Sequence, residues 1–178
     1  MGQETRLSGR LKLNRIVIEN FDDAQELYQS GFGEKESKSL VLNPYEALYL
    51  CSINRVDIIG KKKIINFDNL IDILYSKDKE ILTRFLVYRD LRSRGFIVKE
   101  GFGFGVDFRV YDKGEYGKKT AKYVVFVLNE GNDVRFEKIV QDTIDIKRMG
   151  KKSIIAVIDR RGEVIYYQIS EAVFNAEN

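Results

Sequence analysis

The sequence predicts an α/β (α+β) fold in two parts. A small helical and β N-terminal domain over residues 1–80 is followed by a mixed-sheet domain flanked by helices over 81–178. Length is the first observation, because 178 residues can bury enough apolar surface to fold without disulfide or metal staples. Periodicity is the second, since apolar residues recur every three or four positions before residue 80 and β-branched and aromatic runs dominate after it. The order helix, three strands, helix, two strands favours a mixed sheet with flanking helices.

The N-terminal half combines short strands with helices. LKLNRIVI (11–18) is typical of strands, and FDDAQELYQSGFG (21–33) predicts a helix of a turn or two that ends at Gly31. Asn43 is the expected N-cap of a helix that begins at Pro44 and runs to about Asn54. VDII (56–59) resembles a strand, and the segment 66–75 predicts another helix. We therefore expect a mostly helical domain with a few strands.

The C-terminal half predicts a sheet. A helix over Ile81–Arg94 ends before Gly95 and precedes three runs typical of strands: FIVKEGF, VDFRVYD and AKYVVFVL. A polar loop over 129–133 leads into a helix over 135–149. SIIAVIDRRGEVIYYQIS (153–170) then predicts two more strands joined by a turn at 160–162.

Composition excludes several classes of protein. The net charge is +3, from 30 basic and 27 acidic residues, so nucleic-acid binding would depend on local clusters of charge. The longest central apolar run, 123–128, is far shorter than the roughly 20 residues of a membrane helix. Cys51 is the single cysteine, lies in the apolar pattern EALYLCSI and predicts a buried packing role. We expect a soluble protein of the reducing cytoplasm, with no membrane partner.

Two segments resemble a known family. NPYEALYL (43–50) is similar to a helix of the archaeal tRNA-splicing endonucleases, and FLVYRDLRSRGFIVKEGFGFGVDFRVYDKG (85–114) resembles their signature of helix, glycine, strand and tyrosine-bearing loop. The second segment is the more specific, because thirty residues of this pattern rarely coincide by chance. The resemblance covers nearly the whole chain. It implies a restriction-endonuclease-like C-terminal domain.

The family resemblance implies a reaction and its site residues. These enzymes cleave precursor tRNA at bulge-helix-bulge motifs without metal, leaving 2′,3′-cyclic phosphate and 5′-hydroxyl ends. Tyrosine, histidine and lysine serve as base, acid and stabilising cation. Tyr111 and Lys151 stand at the tyrosine and lysine positions, and Thr120 stands where the family has histidine. The chain contains no histidine at all.

Thr120 cannot replace the histidine as an acid, because an alkanol hydroxyl does not titrate near neutrality and an imidazole does. Ile144 also stands where the family usually has an arginine that helps to hold a bulge base. The resemblance therefore implies a structural, non-catalytic subunit of a heterotetramer. Its partners would be a catalytic subunit and precursor tRNA. We expect no cofactor and no metal.

The same resemblance implies two partner-binding segments. The acidic loop NEGND (129–133) corresponds to a loop that enters a basic groove of a partner, with Glu130 and Asp133 as the contacts. The strand EVIYYQIS (163–170) corresponds to the strand through which family members associate, with Val164 and Tyr166 on one of its two faces. Packing within the chain itself is the alternative for this strand.

Other interpretations remain open at this point. Tyr111 and Lys151 can suffice for a metal-independent endoribonuclease, or the chain can be an RNA-binding module without catalysis. Tyr111 can also be a ring that only caps its strand, and Lys151 an ordinary solvated charge. The sequence Lys61-Lys62-Lys63 is either an exposed turn or a contact with a tRNA backbone.

Two apparent signals for ligands are weak. A magnesium nuclease would use Asp107, but the following strand begins Thr120-Ala121-Lys122 and has no carboxylate beside its lysine. The glycines of GFGFG (101–105) predict close packing or a bend, because no helix opens after them as in a phosphate-binding loop.

Overall fold

The chain forms two compact units, 1–90 and 91–178, in a computed structural model that describes residues 6–13, 15–61, 63–103, 105–131 and 136–172. No helix among the described residues combines the length and apolar character required to cross a membrane.

Unit 1 is built on a mixed sheet. Across its described residues the strands run in the spatial order β3-β4-β2-β1-β5-β6. Their bounds are β1 Leu7–Lys12, β2 Arg15–Ile18, β3 Glu34–Glu36, β4 Ser39–Leu42, β5 Val56–Gly60 and β6 Lys63–Ile65. The helices are α1 Phe21–Gln29, α2 Pro44–Ser52 and α3 Phe67–Tyr75, and α4 Ile81–Ser93 crosses the boundary between the units. β1 pairs in parallel with β5, and the other pairings are antiparallel.

The sheet of unit 1 has more strands than the few that the sequence predicted beside its helices. The sequence pattern did reveal α2, α3 and β5, but it missed the hairpin of β3 and β4. β3 has the sequence EKE, and all its residues are exposed at the edge of the sheet. Such a strand carries no alternation of apolar and polar residues, so periodicity cannot detect it.

Glu46 fixes the start of α2. Its side chain is fully buried, and its two carboxylate oxygens accept hydrogen bonds from the backbone N–H of Asn43 at 2.8 Å and of Gly33 at 3.0 Å. The bond to Asn43 belongs to a capping box, with Pro44 at the first helical position as predicted. The acidic residue of the EALYL pattern therefore ties the helix to the preceding chain.

Unit 2 contains the mixed sheet that the sequence predicted. In the described part of this unit the strand order is β11-β10-β9-β8-β7. The strands are β7 Ile97–Glu100, β8 Phe108–Tyr111, β9 Tyr123–Asn129, β10 Lys152–Ile158 and β11 Val164–Ile169, and helix α5 spans Phe136–Arg148. β9 and β10 run parallel, and the remaining neighbours are antiparallel.

The two faces of this sheet differ in their cover. On one face Val124 and Phe126 of β9 pack with Ile146 of α5 in a buried cluster. On the opposite face an open, mainly apolar cavity of about 200 Å³ lies against the strands. Its lining residues are Leu91, Arg94, Phe96, Val110, Tyr123, Val125, Ile154 and Tyr166. The second face thus carries an apolar groove.

Gly101 allows a close backbone approach. A Cβ atom at this position would lie 1.8 Å from the Val106 carbonyl oxygen, and the Gly101 N–H donates to the Asp107 carbonyl at 2.8 Å. Gly101 therefore packs against the returning chain, as the sequence predicted for this glycine-rich stretch.

Cys51 is half-buried in α2 and not fully enclosed as its apolar pattern suggested. Partial burial, assisted by the negative charge of Asp57, raises the pKa of its thiol to about 11. A thiol with this pKa is a poor nucleophile at neutral pH.

Candidate functional site

Three strand ends bring Tyr111, Thr120 and Lys151 to one end of the unit 2 sheet. Tyr111 is the last residue of β8, Thr120 lies three residues before β9, and Lys151 directly precedes β10. Because β8 runs antiparallel to β9 and β9 runs parallel to β10, these three positions lie at the same end of the strands, the edge of the sheet formed by the strand ends. Backbone hydrogen bonds join the strands there, from Lys122 N–H to Val110 O at 3.1 Å and from Lys152 N–H to Lys122 O at 3.0 Å. We call this edge the strand-end site.

Tyr111 is largely covered. Its side chain is only 9% exposed, and its ring meets the ring of Tyr116 edge to face at a centroid distance of 5.1 Å. The Lys99 ammonium, on a side chain that is 3% exposed, lies 6.0 Å from the centroid of the Tyr116 ring. Most of the surface of Tyr111 is therefore withdrawn from solvent.

Lys151 is bound to the backbone of the neighbouring strand. Its ammonium donates a hydrogen bond to the Ala121 carbonyl oxygen at 3.2 Å. Ala121 directly follows Thr120, whose side chain is exposed. The lysine therefore lies beside Thr120, and it can supply positive charge to that position.

The connection from Asp112 to Lys122 is a compact, basic turn. Lys122 pairs with Asp112 at 2.7 Å, and Lys119 pairs with Glu115 at 2.6 Å. The hydrogen bond to Asp112, and then that to Tyr123, raise the pKa of Lys122 above its usual range. The exposed lysines of this edge are Lys113, Lys118, Lys119, Lys122 and Lys152. The edge is consequently positive, which suits an anion such as a phosphodiester.

Tyr116 and Lys99 were missed by the sequence reasoning. Tyr116 lies in a turn that has no periodicity, so no pattern marks its side chain. Lys99 lies two residues after Ile97, which pairs with Tyr111. Alternation along β7 would therefore have placed Lys99 on the face of Tyr111, had the hairpin register been known.

The predicted partner-binding residues lie on and before the edge strand. Tyr166 of β11 lines the apolar groove, where the Arg94 guanidinium carbon lies 5.7 Å from its ring centroid. Val164 is half-buried at the start of β11. On the other face of this strand Ile165 and Tyr167 are exposed. β11 thus presents apolar side chains on both faces, as the sequence predicted.

The acidic loop is described in part. Glu130 is exposed, and its carboxylate accepts a hydrogen bond from the Arg160 backbone N–H at 3.2 Å, with the Arg160 guanidinium Nε at 3.8 Å. Asp133, the other predicted contact, lies outside the described residues. Ile144 is half-buried on α5.

Asp107 has a structural position. One carboxylate oxygen accepts a hydrogen bond from the Val127 backbone N–H at 2.8 Å. The described residues contain no group of three or more carboxylate, cysteine or histidine side chains arranged to hold a metal ion. The carboxylate of Asp107 therefore links β8 to β9.

Comparisons with known proteins agree with this architecture. Residues 7–71 match the N-terminal domain of the tRNA intron endonucleases, and residues 81–166 match their catalytic C-terminal domain. Two mixed sheets with flanking helices, divided between two units, are the two-domain architecture of that family. The chain belongs to the tRNA intron endonuclease family.

Several archaeal relatives extend over most of the chain. The tRNA-splicing endonuclease of Methanococcus vannielii is 35% identical over 164 residues, which cover 92% of this chain and 93% of the relative. The tRNA-splicing endonuclease of Methanococcus maripaludis is 32% identical with the same coverage. An "EndA-like protein" of Methanopyrus kandleri is 32% identical over 93% of this chain and 97% of its own length.

Proposed function

We propose that this chain is a non-catalytic subunit of a tRNA-splicing endonuclease that excises introns from precursor tRNA at bulge-helix-bulge motifs. The observation that carries the proposal is Thr120 at the third position of the strand-end site, next to Tyr111 and Lys151. Two of the family's three functional groups are retained, and the one that is lost is the proton donor.

The chemistry explains why this loss matters. Attack of a ribose 2′-hydroxyl on the adjacent phosphate requires removal of its proton, protonation of the departing 5′-oxygen and stabilisation of the extra negative charge. A positioned acid or base typically contributes about 10²–10⁴-fold to such a rate. Tyr111 and Lys151 can supply the base and the cation, but the Thr120 hydroxyl cannot supply the acid.

The surroundings of Tyr111 and Lys151 support the same proposal. Tyr111 is covered and packed on Tyr116, and the Lys151 ammonium is engaged by the Ala121 carbonyl. Both groups are held in place at the same end of the sheet as Thr120, so the group that this site lacks is the acid.

The predicted partner-binding residues suggest how this subunit would contact its neighbours in the assembly. The edge strand β11 has exposed Ile165 and Tyr167 on one face and the groove residue Tyr166 on the other, so a second subunit would bury apolar area on it. In this proposal Glu130 and Asp133 carry the acidic loop to a basic groove of the catalytic subunit, and Val164 and Tyr166 contact a neighbouring subunit. The assembled heterotetramer would set two catalytic sites at the spacing of the two bulges.

The test is cleavage of a bulge-helix-bulge RNA in EDTA by this chain alone and after mixing with a histidine-bearing family subunit. We expect cleavage in the mixture and none by the chain alone. The double variant Tyr111→Phe/Lys151→Ala of this chain should leave cleavage by the mixture within about twofold, whereas the same changes at the matching positions of the partner should abolish it. Loss of cleavage with the variant of this chain would contradict the proposal.

An active metal-independent endoribonuclease is the second candidate, and the meeting of Tyr111 and Lys151 at one sheet edge favours it. Cleavage by the chain alone in EDTA that Tyr111→Phe abolishes would establish that candidate. RNA binding without cleavage in either sample would instead favour a plain RNA-binding module.

A further inference from the structure

Two hairpins of unit 1 bring basic residues together at one end of its sheet. β1 and β2 form one hairpin, and β5 and β6 form the other. β1 and β5 run parallel, with Arg10 opposite Ile59, so the two hairpin tips lie side by side. We call this end the hairpin-tip ridge; its described members are Lys12, Leu13, Arg15, Lys61, Lys63 and Lys77.

Several cations of the ridge have no acidic partner. Lys12 pairs with Glu19, and Arg15 pairs with Glu36. Among the described residues, by contrast, Lys61 and Lys63 make no ion pair with a carboxylate. The Lys77 ammonium donates to the Leu13 carbonyl oxygen at 3.0 Å, which leaves its charge unneutralised. The ridge therefore has excess positive charge.

The ridge also contains unusual backbone and side-chain features. Leu13 has a φ of 51° and Lys61 a φ of 43°, in the left-handed region that a Cβ atom disfavours. The side chain of Leu13 is 96% exposed, and that of Ile64 on β6 is 65% exposed. Packing inside unit 1 does not require a fully exposed leucine in this conformation. Both residues open two-residue hairpin connections, where positive φ angles are common, so the turn accounts for the backbone and holds the exposed leucine at the tip.

We infer that the hairpin-tip ridge binds the sugar-phosphate backbone of the RNA. The inference rests on the proposed function, and it assigns an RNA contact to unit 1 in addition to the strand-end site of unit 2. Lys61, Lys63 and Lys77 contact phosphates, and Leu13 lies against the sugars. Nothing in this contact depends on base identity, so its effect is uniform across RNA sequences.

The shape of the ridge favours RNA over an acidic protein segment. Apart from Lys77, which follows α3, its cations lie in or next to the four neighbouring strands β2, β1, β5 and β6, and three spacings of about 4.8 Å give a width of about 14 Å. A nucleic acid duplex carries about one negative charge per 1.7 Å of its axis, which is roughly eight charges over this width. Protruding hairpin tips fit the wide, shallow minor groove of an RNA helix, which displays 2′-hydroxyls and is bordered by phosphates.

The salt dependence of RNA affinity tests this assignment. A bulge-helix-bulge RNA with 2′-deoxy substitutions at the cleavage positions binds without being cut, because the attacking hydroxyl is missing. Its dissociation constant is measured by fluorescence anisotropy at 50–200 mM KCl in EDTA, for the chain alone and for the subunit mixture. For Lys61→Gln/Lys63→Gln the slope of log K against log salt should fall in magnitude by about 1.4 to 1.8, so the loss of affinity between 50 and 200 mM salt should be roughly tenfold smaller than for the wild type.

The matched control removes two charges at the other end of the same sheet. Arg6 and Arg55 are exposed and directly precede the parallel strands β1 and β5, at the end of the sheet away from the hairpin tips. Arg6→Gln/Arg55→Gln should keep the wild-type slope. Equal slopes for all three proteins overturn the inference. So does a ridge variant that keeps RNA affinity but no longer assembles with the catalytic subunit, since that result assigns the ridge to an acidic protein partner.

Leu13→Gly gives a second, independent readout. Glycine adopts a positive φ without a steric penalty, so the variant should be at least as stable as the wild type, yet it should bind the RNA more weakly by several-fold. Unchanged RNA affinity in this stable variant would contradict the contact of Leu13 with the sugars. Failure of the proposed function is separate from both tests, because it appears as the absence of cleavage in the wild-type mixture.

Discussion

Replacement of Gly101 by alanine should destabilise unit 2 through a clash with the backbone. The added Cβ would lie 1.8 Å from the Val106 carbonyl oxygen and 2.6 Å from its carbonyl carbon, where ordinary contacts begin at 3.4 Å. The chain must therefore separate by more than an ångström, which breaks the 2.8 Å hydrogen bond from Gly101 N–H to Asp107 O. Overpacking of this size costs about 2 kcal/mol, and the lost hydrogen bond adds about 1 kcal/mol.

Gly103→Ala is the matched control in the same stretch. Gly103 has a φ of 66°, and a Cβ there would meet nothing within 4 Å, so the cost is limited to the left-handed conformation. That cost is about 1 kcal/mol. Urea unfolding followed by circular dichroism should therefore rank wild type, Gly103→Ala and Gly101→Ala in order of decreasing stability. The two variants should differ by about 2 kcal/mol in the free energy of unfolding.

The competing interpretation of the glycine-rich stretch makes the opposite prediction. A loop that cradles phosphate would lose RNA affinity in Gly101→Ala while the free energy of unfolding stayed near that of the wild type. Equal stability of Gly101→Ala and Gly103→Ala would refute the packing argument.

Two further predictions concern unit 1. Glu46→Gln should lower the free energy of unfolding by about 2–3 kcal/mol, because the buried carboxylate accepts two backbone N–H bonds and the amide turns a donor toward one of them. Urea unfolding measures this loss. The control Glu80→Gln, at an exposed position, should stay within about 0.5 kcal/mol of the wild type. Cys51 should react with a disulfide reagent at pH 8 about tenfold more slowly in the native chain than in urea, because burial raises its pKa from 9.0 to about 11, and the lower thiolate fraction outweighs the greater nucleophilicity of the more basic thiolate. The unfolded chain then loses the thiol proton first, so the free energy of unfolding should fall as pH rises from about 9 to about 11. Equal native and denatured rates would show that Asp57 and partial burial do not suppress the thiolate.

The sequence predicted helices and strands correctly where helix-capping residues and hydrophobic periodicity were clear. Asn43-Pro44 located the start of α2, and Gly95 lies just after the end of α4, so both helices were predicted to within about two residues. The β-branched runs located the strands of unit 2. The hairpin of β3 and β4 was missed because its edge strand is polar throughout. The sequence pattern cannot predict a strand that is defined only by its pairing with a neighbouring strand.

The strand-end site shows the same division. Positions of Tyr111, Thr120 and Lys151 came from motif resemblance, and their meeting at one edge follows from the pairing of β8, β9 and β10. The packing of Tyr116 on Tyr111 and the position of Lys99 are tertiary features with no sequence signal of their own. The hairpin-tip ridge likewise depends on the parallel pairing of β1 and β5, which joins residues about fifty positions apart.

The central claim is that the missing acid at Thr120 is what makes this chain non-catalytic. The most direct measurement is the rate of bulge-helix-bulge RNA cleavage in EDTA by Thr120→His relative to the wild-type chain, with Thr120→Ser as the control. A positioned imidazole should raise the rate by about 10²-fold or more, and the gain should decline as pH rises through its pKa of about 6.5, while Thr120→Ser should match the wild type. A ratio near one would contradict the claim.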